Sequence, residues 1–179
     1  MDSPFMRDIA ALIAAEGVRV ARFEFPYMAA RRTGVRRPPD REPTLRRVWL
    51  EVIDELGGGA NVVIGGKSMG GRYASMVADE AGVRGLVCLG YPFHPAGEAG
   101  RLRTAHLETL RTKALFVQGE RDPMGSRAEV EGYLLSPSIR MEWLADGDHS
   151  FKPRKASGHT QEGHIRSAAT AVAAFVHGC

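Results

Sequence analysis

The sequence predicts an α/β fold of three layers, a mostly parallel sheet between helices, and three observations carry that reading. Short apolar runs alternate with helical stretches along the 179 residues, a rhythm that produces parallel strands joined by right-handed crossovers. One of those runs, Val62-Val63-Ile64, leads through Gly65-Gly66-Lys67-Ser68-Met69-Gly70-Gly71 into a helical stretch. Ser68, Asp122 and His149 each stand just after a predicted strand, and the carboxyl ends of such strands form the rim where ligands bind.

Taken in order, Ser3-Pro4 is a helix start, an N-cap with proline in the first turn. Phe5, Ile9, Leu12 and Ile13 then share one face, and Gly17 ends the helix. Val18 to Phe25 reads as a strand of mixed burial, stopped by Pro26. A proline- and arginine-rich loop follows. Thr44 is the expected cap of a helix striped by Leu45, Val48, Trp49, Val52, Ile53 and Leu56. Asn61 to Ile64 is the next strand, followed by a helix to about Glu80, a strand at Gly85 to Leu89, and a loop from Tyr91 to Thr112. Ala114 to Val117 is a strand, Ser126 to Tyr133 a helix, Ile139 to Trp143 an edge strand with one wet face, and Gln161 to Val176 the closing helix.

Bulk composition bounds the alternatives. An apolar content of 44% in 179 residues suits one domain, 1–179, with an ordinary core. No apolar run approaches the 18 or so residues of a membrane span, and Asp2, Arg7 and Asp8 stand where a signal peptide needs an apolar segment. Cys88 lies in an apolar run and Cys179 is the last residue, which suits a reducing compartment, so the chain reads as cytoplasmic. The net charge of +3 is uneven: arginines 31, 32, 36, 37, 41, 46 and 47 oppose only Asp40 and Glu42, a local +5 that leaves about −2 elsewhere. No aromatic residues interleave with these arginines to stack bases, which argues against nucleic acid and for a solvated loop paired with nearby acids.

Gly66-Lys67-Ser68-Met69-Gly70 is a GxSxG turn between strand and helix, the geometry that presents a serine nucleophile. Side chains at Gly66 and Gly70 are expected to collide with the neighbouring strand and helix. Gly66-Lys67-Ser68 also imitates the end of a phosphate loop, but Asn61 stands where that motif needs glycine and apolar strand formers lie between. A serine hydroxyl needs a base to take its proton, and the base needs a carboxylate to fix its tautomer. His149 and Asp122 are the candidates, with the backbone N–H of Met69 as oxyanion donor. Asp146 and Asp148 are nearer His149 in sequence, yet neither follows a strand of its own. His159, His164 and His177 read as surface residues, and His94 and His106 as residues bordering the pocket.

The segments MDSPFM, RFEFPYMAARR, RRPPDR, GGKSMGGR, YPFHP, LFVQGERDP and GDHSF together resemble the α/β hydrolase family that joins small bacterial serine hydrolases to a testis-expressed animal protein and to a subunit of the non-specific lethal complex, with a more distant similarity to dienelactone hydrolases. The resemblance implies the hydrolase fold and places nucleophile, acid and base on Ser68, Asp122 and His149. In the resembling proteins a strand and a His-Gly-rich turn precede MDSPFM. The resemblance therefore implies a sheet lacking its first strands, and a chain truncated at its amino terminus. It puts the absent strand between Val18–Phe25 and the strand leading to Ser68, so those two either leave a gap or swing together and displace the first helix. Loss of the turn's oxyanion donor would lower kcat by roughly 10² to 10³.

The expected function is a small serine hydrolase that cleaves an ester or related acyl bond of a small molecule, without cofactor or metal. Lys67, Pro92, Phe93 and His94 are its expected pocket walls, together with Met69. The alternative is a non-catalytic interaction protein that retains the scaffold.

Overall fold

A computed structural model of the chain describes residues 3–32, 34, 35 and 37–179. Its elements are α1 (Pro4–Ala15), α2 (Pro26–Arg32), α3 (Glu42–Glu55), β1 (Val63–Lys67), α4 (Met69–Ala81), β2 (Gly85–Leu89), β3 (Ala114–Gly119), α5 (Arg127–Val130), β4 (Ile139–Leu144) and α6 (Gln161–His177). The four strands form one sheet in the order β1-β2-β3-β4, parallel throughout, with Val63 beside Gly85, Leu86 beside Ala114, and Ala114 beside Ile139. Strict alternation shares the central strands between two cores. Leu86, Cys88 and Phe116 join Leu45, Trp49 and Tyr73 under α3 and α4, whereas Val87, Leu89 and Val117 join Ile9, Ile13 and Ile165 under α1 and α6. This is the α/β hydrolase fold, a parallel sheet covered on both sides by helices.

Residues 18–25 form no strand, contrary to the expectation from their apolar content. A strand persists only where a neighbour takes up its N–H and C=O groups, and β1 is not beside this segment. A groove of about 720 Å³ separates the two, lined by residues 18–23 on one side and 61–66 on the other, and walled by Ile9 and Ile13 of α1 and Trp49 and Ile53 of α3. The gap, rather than a closed-up pairing, is what the structure shows, and α1 keeps its seat on α6. Bonds from Arg84 N–H to the Val62 carbonyl and from Ser68 N–H to the Leu89 carbonyl turn the even-numbered residues of β1 toward β2. The backbone groups of Val63 and Gly65 therefore face the groove.

The segment after Pro26 is helical rather than loop. Proline suits the first turn of α2, and the Asp40 carboxylate accepts from Tyr27 N–H at 2.9 Å. α3 begins at Glu42, not at Thr44, and Arg41 at its N-cap makes no side-chain capping bond. Pro43 sets the first turn and Glu42 meets the positive end of the helix dipole. Arg36 lies outside the described residues; of the other arginines of this region, Arg32 pairs with Glu24 at 2.9 Å, Arg37 with Asp40 at 3.3 Å and Arg46 with Glu80 at 2.8 Å. Among the described residues no helix is long and apolar enough to cross a membrane.

Candidate active site

β1 ends at Lys67, and Ser68 takes φ 53° and ψ −118° before α4 begins at Met69. A non-glycine residue in that region is strained. The strain is held from both sides: Ser68 N–H donates to the Leu89 carbonyl at 2.9 Å and its own carbonyl accepts from Arg72 N–H at 3.0 Å. Strand and helix approach so closely that a Cβ on Gly66 would lie 2.6 Å from the Gly70 carbonyl carbon, and one on Gly71 2.6 Å from the Gly66 carbonyl oxygen. Gly70, expected to be equally confined, has open space where its Cβ would be. The helix has turned by then, and it is Gly71 that faces the strand.

Three of the predicted residues come together. Ser68 Oγ lies 2.9 Å from His149 Nε2, and His149 Nδ1 lies 2.8 Å from Asp122 Oδ2. Asp122 is completely buried and accepts two further bonds, from Met124 N–H at 2.8 Å and from the Gln118 side-chain amide at 2.9 Å. A carboxylate so bound can only accept, so Nδ1 carries the proton and Nε2 offers its lone pair to the serine hydroxyl. Neither nearby aspartate competes. Asp148 accepts from Ser150 and Lys152 N–H at 2.7 and 3.0 Å. Asp146 pairs with Arg154 and, at 2.8 Å, with Arg121. The Arg154 hydrogen bond in particular holds its carboxyl at about 2.

The loop carrying His149 is shaped by two non-glycine residues at positive φ, Asp146 at 55° and Phe151 at 65°. Phe151 is fully buried and meets Phe5 edge-on at 5.3 Å. His164, expected at the surface, is instead buried and donates from Nδ1 to the Phe151 carbonyl at 2.9 Å. It ties α6 to this loop.

The remaining predicted residues sit at the same end of the sheet. Met69 N–H has no hydrogen-bond partner among the described residues, so it is free to donate. Pro92 is buried and Phe93 packs against Tyr91, Phe116 and Tyr133 in the core. His94 donates from Nδ1 to the Pro95 carbonyl and turns Nε2 toward Glu129 at 3.5 Å. His106 lies apart, 2.8 Å from Ser75 of α4. Lys67 lies over the rings of Phe5 and Phe151, 5.6 and 5.7 Å from their centroids.

Gln118 is the supporting residue that motif reasoning missed. It is fully buried in β3 and its amide bonds both the N–H and the carbonyl of Tyr91 as well as Asp122. A lone polar side chain in the strand Ala-Leu-Phe-Val-Gln-Gly was the available signal, since a buried amide exists to bond something.

Residues 1–177 match the alpha/beta hydrolase domain family. The chain belongs to that family. Solved structures similar to this hydrolase-family chain include an alpha-beta serine hydrolase homologue from Coxiella burnetii, with a TM-score of 0.71 at 15% identity, covering 98% of this chain and 77% of that one. The esterase domain of a Rhodothermus marinus protein gives 0.66 at 14% identity, covering 96% and 79%. An α/β-superfamily protein from Xanthomonas campestris pv. campestris gives 0.66 at 23% identity, covering 99% and 92%. At these identities the likeness establishes the hydrolase fold.

Proposed function

We propose that the chain is a serine hydrolase that cleaves a small ester or related acyl bond through an acyl-enzyme. The observation that supports this reading is the unbroken chain of bonds from Ser68 Oγ through His149 to Asp122, at 2.9 and 2.8 Å, with the serine on a strained turn. His149 Nε2 takes the hydroxyl proton as Ser68 Oγ attacks the acyl carbon, and the oxyanion forms beside Met69 N–H at the start of α4. The imidazolium, steadied by Asp122, returns the proton to the leaving alcohol. Water then repeats the sequence on the acyl-serine.

A fluorophosphonate probe tests the reading. Labelling that is abolished by Ser68→Ala is the expected result. An unlabelled, folded chain would instead favour the non-catalytic scaffold. The Tyr91 to Thr112 segment is too short to fold into a separate lid domain, so aryl esters of short acids should turn over faster than long-chain ones. Efficient hydrolysis of long-chain lipid esters would contradict this expectation.

A further inference from the structure

Lys67 is an ionisable side chain placed where the proposed reaction has no evident use for it. It occupies the middle of the Gly66-Lys67-Ser68 turn and is half-buried. Among the described residues it makes no hydrogen bond and no ion pair, and it rests between Phe5 of α1 and Phe151 of the His149 loop. The ammonium ends above Gly90: a Cβ built there would lie 2.8 Å from Lys67 Nζ, 3.1 Å from the His149 carbonyl oxygen and 3.5 Å from His149 Nδ1. Any side chain at residue 90 would take the space of the ammonium, and glycine's φ of +59° suits the turn besides. Lysine ammonium and histidine ring thus border the same small space above Gly90, with Asp122 bonded to the far side of the pair through the ring.

We propose that Lys67 is a positioning residue that keeps the His149 ring neutral and ready to accept a proton, its ammonium opposing the charge that the ring would gain. This rests on the hydrolase reading for its use, but not for its existence. Two like charges a few ångströms apart in a partly desolvated site repel strongly. Asp122 attracts from 2.8 Å the same charge that Lys67 repels. Lys67 offsets that pull. The other ionisable groups around the pair are Asp148, whose carboxylate is occupied by the backbone of Ser150 and Lys152, and His164, bonded to the Phe151 carbonyl. Burial lowers the lysine itself to about 8, against a partial upward pull from Asp122 and Asp148. Its charge is accordingly present through neutral pH and fades above it.

The test reads the histidine directly. In proton NMR titrations of the wild-type chain, Lys67→Met, Lys67→Gln and Lys67→Arg, the His149 ring signal is assigned by its loss in His149→Gln. Methionine and glutamine remove the charge while filling the space between the rings, and either one suffices if the other fails to fold. Both should raise the His149 midpoint by about one pH unit, a tenfold gain in proton affinity, whereas arginine should hold it near the wild-type value. Where ester turnover is measurable, the acid limb of kcat/KM should move up by the same interval. A midpoint unmoved or lowered in the charge-removing variants overturns the proposal. Absence of turnover in every variant would instead overturn the hydrolase reading, and the ring titration would still decide the role of Lys67.

Discussion

Asp122 meets His149 with its other oxygen already taken by Met124 N–H and the shared one also bonded by Gln118, so the carboxylate can turn only one face to the ring. If the proposed roles hold, Ser68→Ala and His149→Ala should each lower kcat by about 10⁶, and Asp122→Ala by less, because it orients the base rather than moving a proton. His94→Ala should be mild, since its Nδ1 is spent on a backbone carbonyl. Steady-state rates on a small aryl ester check all four. Ser68, Asp122 and His149 were legible because each follows a strand, and strand ends converge. Gln118 and His164 were not, because their importance lies in which buried atoms they face, and no spacing rule encodes that. His106 supplies a pH dependence away from the site. Burial, then the charges of Arg72 and Arg46, lower it from 6.5 to about 4. Between those values the unfolded chain binds the extra proton, so this residue makes stability fall as pH drops from 6.5 toward 4. Denaturant midpoints of wild type and His106→Gln should converge differently across that window, and equal slopes would contradict the assignment.

At the scale of elements, the strand-to-helix turn makes opposite demands on neighbouring glycines. Gly71→Ala drives a methyl against the Gly66 carbonyl and the Cys88 sulfur and should cost roughly 1–3 kcal/mol. Gly70→Ala enters open space inside a helix and should gain about 0.5–1 kcal/mol. Thermal melts of the pair separate the two, and similar losses for both would mean that the turn is confined along its whole length. The GxSxG pattern marked Gly66 correctly but Gly70 in place of Gly71, because it numbers positions along the chain, whereas the collision depends on how far the helix has rotated. Periodicity served α1, α3 and α6 well, since each turns a single apolar stripe into one of the two cores. It failed at residues 18–25 and at α2. Apolar content there signals burial of Phe25 and Tyr27, but a strand also needs a partner for its backbone, and that partner is a property of the assembled sheet.

The order of the whole sheet follows from simple rules, each strand paired with its successor by a right-handed crossover, and this is why the rim could be drawn from the sequence. The groove at the open side of β1 follows from no local rule. Its consequence concerns the company the molecule keeps. Val63 and Gly65 turn backbone donors and acceptors outward beside apolar walls, and Trp49 Nε1 is buried near them without a partner among the described residues. A free sheet edge is a template on which another chain can lay a strand. Light scattering should therefore show a mean mass that grows with protein concentration, and Val63→Lys should restrain that growth by setting a charge at the edge. A mass constant over a hundredfold dilution would show that the edge recruits nothing. The open edge thus ties the molecule's fate in solution to how many copies of it share that solution.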